Sequence, residues 1–129
     1  MSCWGGNGSG QLGNGTATNS SVPVAVTGIT NATAITADYD QSCALLDTGA
    51  VSCWGLNIFG GLGIATNTSS SVPVAVIGIT NATTIDAGRY HLCALLDTGA
   101  MSCRGNNEVG QLGDGGGFSY VPTPVVGLP

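Results

Sequence analysis

The chain has no lysine, and its only arginines are Arg89 and Arg104. Seven acidic residues stand against them, so the formal net charge is −5. A surface this poor in cations cannot neutralise a run of phosphates, which sets nucleic acid aside as a partner. An anionic membrane surface is set aside on the same ground. No apolar run approaches the roughly 18 residues of a membrane-spanning helix, so no membrane insertion is expected. Histidine occurs once, at His91, and without a C-x2-C pair it offers too few ligands for zinc. Nothing near His91 supplies the nucleophile and acid of a hydrolytic triad, and G-x-S-x-G, phosphate-loop and paired-carboxylate patterns are missing. The stretch Gly113-Asp114-Gly115-Gly116-Gly117 lacks the Lys-Ser/Thr ending of a phosphate cradle. Asp38 and Asp40 alone are too few oxygens for calcium. The expectation is a chain that is not an enzyme and carries no cofactor.

What the sequence does have is glycine, 22 residues of it, with Ser, Thr, Asn and Val filling much of the remainder. That mixture favours short strands and turns over long helices. It also repeats. Cys3-Trp4-Gly5 returns as Cys53-Trp54-Gly55 and Cys103-Arg104-Gly105, each step being 50 residues. Gly10-Gln11-Leu12-Gly13 returns as Gly60-Gly61-Leu62-Gly63 and Gly110-Gln111-Leu112-Gly113. Val22–Thr33 recurs as Val72–Thr83 with one change, and Cys43–Cys53 recurs as Cys93–Cys103 with one change. Each unit reads as four strands, here lettered A to D: Ala34–Ala37, Ser42–Leu46, Ala50–Trp54 and Pro73–Ile77. Asp47-Thr48-Gly49 forms the tight B–C turn, with glycine where positive φ is needed. Pro73 suits a strand start or edge because it cannot donate to the ladder. Four strands in about 50 residues is the spacing of a propeller blade.

The residues Ala87-Gly88-Arg89-Tyr90-His91-Leu92-Cys93-Ala94-Leu95, followed by G-x-x-x-C-W-G-x-N, G-Q-L-G and P-V-x-V, resemble the regulator-of-chromosome-condensation repeat. Secreted bacterial members and the β-lactamase-inhibitor propellers are similar. The first copy departs from the pattern, with Asp38 for the Gly and Gln41 for the His, and Arg104 replaces the Trp in the last. The resemblance implies an all-β fold, a β-propeller segment of about two and a half four-stranded antiparallel blades. Its expected units are 1–27 (strands C and D only), 28–77 and 78–129. Met1 aligns with Val51 and Met101, an ordinary strand position, so the sequence reads as an excerpt of a longer protein. Self-association through open blade edges is a further expectation, with Val22, Val24 and Val26 in the unfinished sheet.

Cys43 and Cys53 face one another across the B–C hairpin, as do Cys93 and Cys103, at a separation that suits a disulfide. Closing such a loop of about 11 residues contributes about 2.7 kcal/mol by chain entropy. Four reduced thiols in a reducing compartment are the other reading. Disulfides would place the protein outside the cell or on its surface, and Cys3 would be left free. The six N-x-S/T sequons (Asn7, Asn14, Asn19, Asn31, Asn67, Asn81) fall at expected loops.

The D–A and B–C loops are nearly identical between copies, whereas the A–B and C–D loops differ. In an up-and-down blade the variable pair emerges on one face. Tyr39, Asp40, Ile58, Phe59, Arg89, Tyr90, Glu108, Phe118 and Tyr120 are the candidate partner-binding residues there. Neutral drift in loops produces variation too. A protein- or glycan-binding scaffold is the first reading; the family resemblance adds nucleotide exchange on a GTPase, and a purely structural array is the third.

Overall fold

In a computed structural model, residues 1–127 are described, and they form strands and turns without a helix. The strands are β1 (Ser2–Gly5), β2 (Ser20–Ala25), β3 (Ala32–Asp38), β4 (Gln41–Leu46), β5 (Val51–Gly55), β6 (Ser70–Ala75), β7 (Ala82–Gly88), β8 (His91–Leu96), β9 (Met101–Gly105) and β10 (Ser119–Pro124). They make three antiparallel sheets: β1-β2, β3-β4-β5-β6 and β7-β8-β9-β10. Two are complete four-stranded blades, and the first is the C–D half of one. The propeller segment expected from the repeat is the architecture found.

The B–C turn closes as its residues demand. Gly49 takes φ 87°, and its amide donates to Leu46 O at 3.0 Å. That register sets Cys43 opposite Cys53 and Cys93 opposite Cys103. Both pairs are bridged, with 4.1 Å between Cα atoms in each, and Cys3 is the one free cysteine. The fourth strand departs from expectation. It runs Ser70–Ala75, not Pro73–Ile77, because backbone pairing with β5 already begins at Ser70, opposite Gly55. Pro73 therefore lies inside the strand. It is tolerated because β6 is the outer edge and the pairing shifts between Cys53 and Gly55.

The core lies between blades. One cluster joins Cys43, Leu45, Val51 and Cys53 of the second sheet to Ala82, Ile85, Leu92 and Ala94 of the third. A smaller one joins Val26 and Ile29 to Ala44 and Trp54. Val26 is thus buried at 5% exposure while Val22 remains 61% exposed, so the expectation of an open row at 22, 24 and 26 holds only at its outer end.

Each joint is built on the Gly-x-Leu-Gly loop. Leu12 and Leu62 are buried plugs. Gln11 O accepts hydrogen bonds from Trp54 Nε1 and from Ser42 Oγ, both at 2.8 Å. Gly13 takes φ 70°, and a Cβ there would collide with the Trp54 ring. At the second joint Arg104 fills the tryptophan site, its stem against Gly63. Its Nη2 contacts Cys53 Sγ at 2.9 Å, while Nε and Nη1 have no partner among the described residues. Burial without a counter-charge lowers its pKa to about 9.

The pH dependence follows from that shift. Below pH 9 Arg104 is charged in both folded and unfolded chains, and the cost of burying it is fully present. Above about 9 the folded guanidinium gives up its proton before the unfolded one does, and the cost recedes. Arg104→Trp is expected to stabilise the protein at neutral pH by about 1–4 kcal/mol, with the gap in melting temperature narrowing as pH rises above 9. Thermal melts of both proteins across that range check it; a gap independent of pH would contradict it.

Candidate functional site

Two-residue turns end the A–B hairpins. Tyr39-Asp40 joins β3 to β4, and Arg89-Tyr90 joins β7 to β8. These tips are tied to the C–D loops by backbone: Leu56 N donates to Asp40 O and Asn106 N to Tyr90 O, each at 2.8 Å. A Cβ on Gly55 or Gly105 would meet the same two carbonyls, so glycine ends β5 and β9. This tie is why the variable loops share one face.

The C–D loops are in turn organised by a buried asparagine in each copy. Asn57 Oδ1 accepts from Leu62 N at 2.9 Å, while its Nδ2 donates to Thr66 O and Thr68 O. Asn7 and Asn107 do the same for Leu12 and Leu112. Asn7 is 0% exposed and its amide is bonded to Thr16 O and Thr18 O, so that sequon is closed to a glycan. The exact 50-residue recurrence of Asn7, Asn57 and Asn107 was the available signal for this role.

Four aromatic rings from four different loops meet on this face. Tyr39 and Tyr90 lie 6.1 Å apart edge to face. Phe59 is 4.9 Å from Tyr90 and 5.4 Å from Phe118. The Arg89 guanidinium sits 5.0 Å above the Tyr39 ring and 5.2 Å from that of Tyr90. It is exposed, and hydrogen bonding with Tyr90 holds its pKa above the ordinary value. Tyr39 is 70% exposed and Phe118 50%, so the row is open to solvent at both ends.

The remaining candidates divide. Ile58 and Glu108 are exposed on the two C–D loops. Asp40 turns away from the rings, its Oδ1 accepting from Gln11 Nε2 at 2.8 Å. Tyr120 belongs to the blade joint. It stands where Ser71 stands one blade earlier, lying over Gly60 as Ser71 lies over Gly10, and its carbonyl accepts from Ala65 N.

Both tips carry strain. Tyr39 has φ 31° and Tyr90 φ 64°, a region that costs a side-chain-bearing residue roughly 1–2 kcal/mol. Glycine would be the cheaper residue at either tip.

The family model "Regulator of chromosome condensation (RCC1) repeat" matches residues 3–45 and 48–95, and a second model of the same description matches 82–111. Among solved structures, Prp20p from Saccharomyces cerevisiae, studied for its binding to Gsp1p and histones, is similar at TM-score 0.81 and 20% identity, over 96% of this chain and 33% of that one. Yeast RCC1 (Prp20) with Kap60 gives TM-score 0.82 and 20% identity, over 96% and 32%. Human WBSCR16 gives 0.79 and 26%, over 95% and 34%. The chain therefore spans about a third of the length of each. A search of curated protein sequences finds no match.

The strained tip yields a test independent of any partner. Tyr90→Gly removes the ring but relieves the backbone, whereas Tyr90→Ala removes the ring and keeps the strain. Thermal or urea unfolding is expected to place the glycine variant above the alanine variant by about 1 kcal/mol. Equal stabilities would show that the turn is not strained.

Proposed function

Because the chain belongs to the regulator of chromosome condensation (RCC1) repeat family, we propose that it is a non-enzymatic binding segment of a propeller, engaging a partner protein through the face bearing the A–B and C–D loops. The observation that carries this reading is the convergence of Tyr39, Phe59, Tyr90 and Phe118 from four loops, with Arg89 stacked on two of them. Aromatic residues and arginine are the types that dominate protein interfaces. They lie here on a rigid scaffold whose loops are pinned by Asn57 and Asn107. Ile58 and Glu108 flank the row and serve as its rim. Asp40 and Tyr120 act behind it, one bracing the turn and the other the joint.

Two disulfides and a lysine-free surface support an oxidising compartment, outside the cell or at its surface. A glycan would use the same rings by stacking a sugar face on them.

The test is a displayed random-peptide library selected on the immobilised chain, with a glycan array and nucleotide-release assays on small GTPases run alongside. Peptides enriched on the chain are expected to lose more than about 1 kcal/mol of binding to the Tyr39→Ala/Phe59→Ala/Tyr90→Ala variant. Its melting temperature should fall far less than its affinity. Binding that survives the triple change would move the interface elsewhere, and matched losses of stability and binding would make these rings core.

A further inference from the structure

The two disulfides close loops that differ at a single position, 51 against 101, and both span 4.1 Å between Cα atoms. A charge reaches Cys43–Cys53. Arg104 stands where Trp54 stands one repeat earlier, and it crosses the second joint to set Nη2 2.9 Å from Cys53 Sγ. The contact is sealed from water: Arg104 and Cys53 are 0% exposed and Cys43 is 1%. The arginine stem and Val76 both lie over Gly63, which leaves the guanidinium in apolar surroundings. Nε and Nη1 have no partner among the described residues. Burial alone displaces the pKa of Arg104, with no neighbouring charge to oppose it.

The other arginine, Arg89, lies out on the loop face against Tyr39 and Tyr90. Cys103 directly precedes Arg104 in β9, and successive side chains of a strand point to opposite faces of the sheet. The guanidinium therefore serves the disulfide of the preceding blade and not the one in its own.

A disulfide sulfur is a weak acceptor and carries no charge. With the bond closed, Arg104 is a buried cation without a counter-ion, an arrangement that costs stability. With the bond broken, the same sulfur can become a thiolate, which a neighbouring arginine stabilises. In a joint that excludes water that attraction is far stronger than at a surface.

We propose that Cys43–Cys53 is a redox-responsive disulfide, tuned by Arg104, which holds Cys53 as a thiolate once the bond is broken. The proposal is independent of the loop face. A disulfide whose reduced form is stabilised is the more readily reduced. The coupling is also reciprocal: whatever the cation contributes to the thiolate, the thiolate contributes to the cation. Reduction thus supplies the counter-charge that the second joint lacks.

The step is thiol–disulfide exchange with a small dithiol. One thiolate of the reductant attacks Cys43 Sγ, and the bond to Cys53 breaks. Cys53 leaves as the thiolate beside Arg104, the better leaving group for its lowered proton affinity. The second thiol of the reductant gives its proton to solvent and displaces Cys43 from the mixed disulfide. Cys43 leaves and is protonated, and the reductant closes to its own cyclic disulfide. Two electrons pass from reductant to protein, and one proton is released because Cys53 stays ionised.

The whole chain is equilibrated at neutral pH in graded ratios of reduced to oxidised dithiothreitol, starting from both the oxidised and the reduced protein. Acid quenching, alkylation and mass spectrometry of peptides then read each disulfide separately. Cys43–Cys53 is expected to be half reduced at a reductant ratio at least about tenfold lower than in the Arg104→Met chain, a difference of about 30 mV. Cys93–Cys103 should shift far less. Arg104→Trp, which restores the residue of the preceding repeat, is expected to behave as Arg104→Met does, and Arg104→Lys to keep most of the shift. The reduced wild-type chain should also show ultraviolet thiolate absorbance that the reduced Arg104→Met and Arg104→Trp chains lack. Equal midpoints for the wild type and both neutral variants would overturn the proposal. So would a reduced wild-type chain without thiolate absorbance, or a shift of equal size at Cys93–Cys103.

Discussion

Every element of this structure rests on the seating of one blade against the Gly-x-Leu-Gly loop of the blade before it. The loop supplies a leucine plug, a glycine that makes room for a large side chain, and a backbone carbonyl that accepts a hydrogen bond from that side chain. At the first joint all three are used: Leu12 is buried, Gly13 accommodates Trp54, and Gln11 O takes hydrogen bonds from Trp54 and Ser42. At the second joint Leu92 and Arg104 replace Ser42 and Trp54. The plug remains as Leu62, while the guanidinium leaves Nε and Nη1 without partners among the described residues. At the first joint Trp54 and Ser42 are thus both hydrogen-bonded, and the second relies on its larger apolar cluster.

Much of this was legible beforehand. A 50-residue recurrence with strand-forming residues and turn glycines leaves little choice of architecture, and two cysteines equidistant from a tight turn have little choice of partner. The variable loops also reported their common face, because up-and-down topology fixes which turns emerge together. The aromatic row itself was less accessible. Phe59 belongs to one blade and Tyr90 and Phe118 to the next, and only the packing of blades brings Phe59 against both. Tyr120 lies on β10 against Gly60 of the blade before it, a contact that only the packing of blades discloses. The D-strand bounds were misplaced because pairing with β5 begins at Ser70, ahead of Pro73. The three loop asparagines were visible as recurrent letters, but their work is a set of backbone bonds that sequence does not display.

Exposure on this scaffold is a matter of what the neighbouring blade leaves uncovered. On the loop face, the backbone is pinned by the ties between A–B and C–D loops, and Tyr39 and Phe118 stay open to solvent. Along β1, Trp4 is exposed where Trp54, one repeat on, is buried.

The claim underneath both is that burial in this chain is conferred by the adjoining blade and not by a strand's own residues. Trp4 and Trp54 are the same residue in the same strand position, and they differ only in what lies over them. Acrylamide quenching of single-tryptophan variants, Trp54→Phe and Trp4→Phe, measures this directly. The account predicts that Trp4 is quenched readily and emits to the red, while Trp54 is scarcely quenched and emits to the blue. Equal shielding of the two would contradict it.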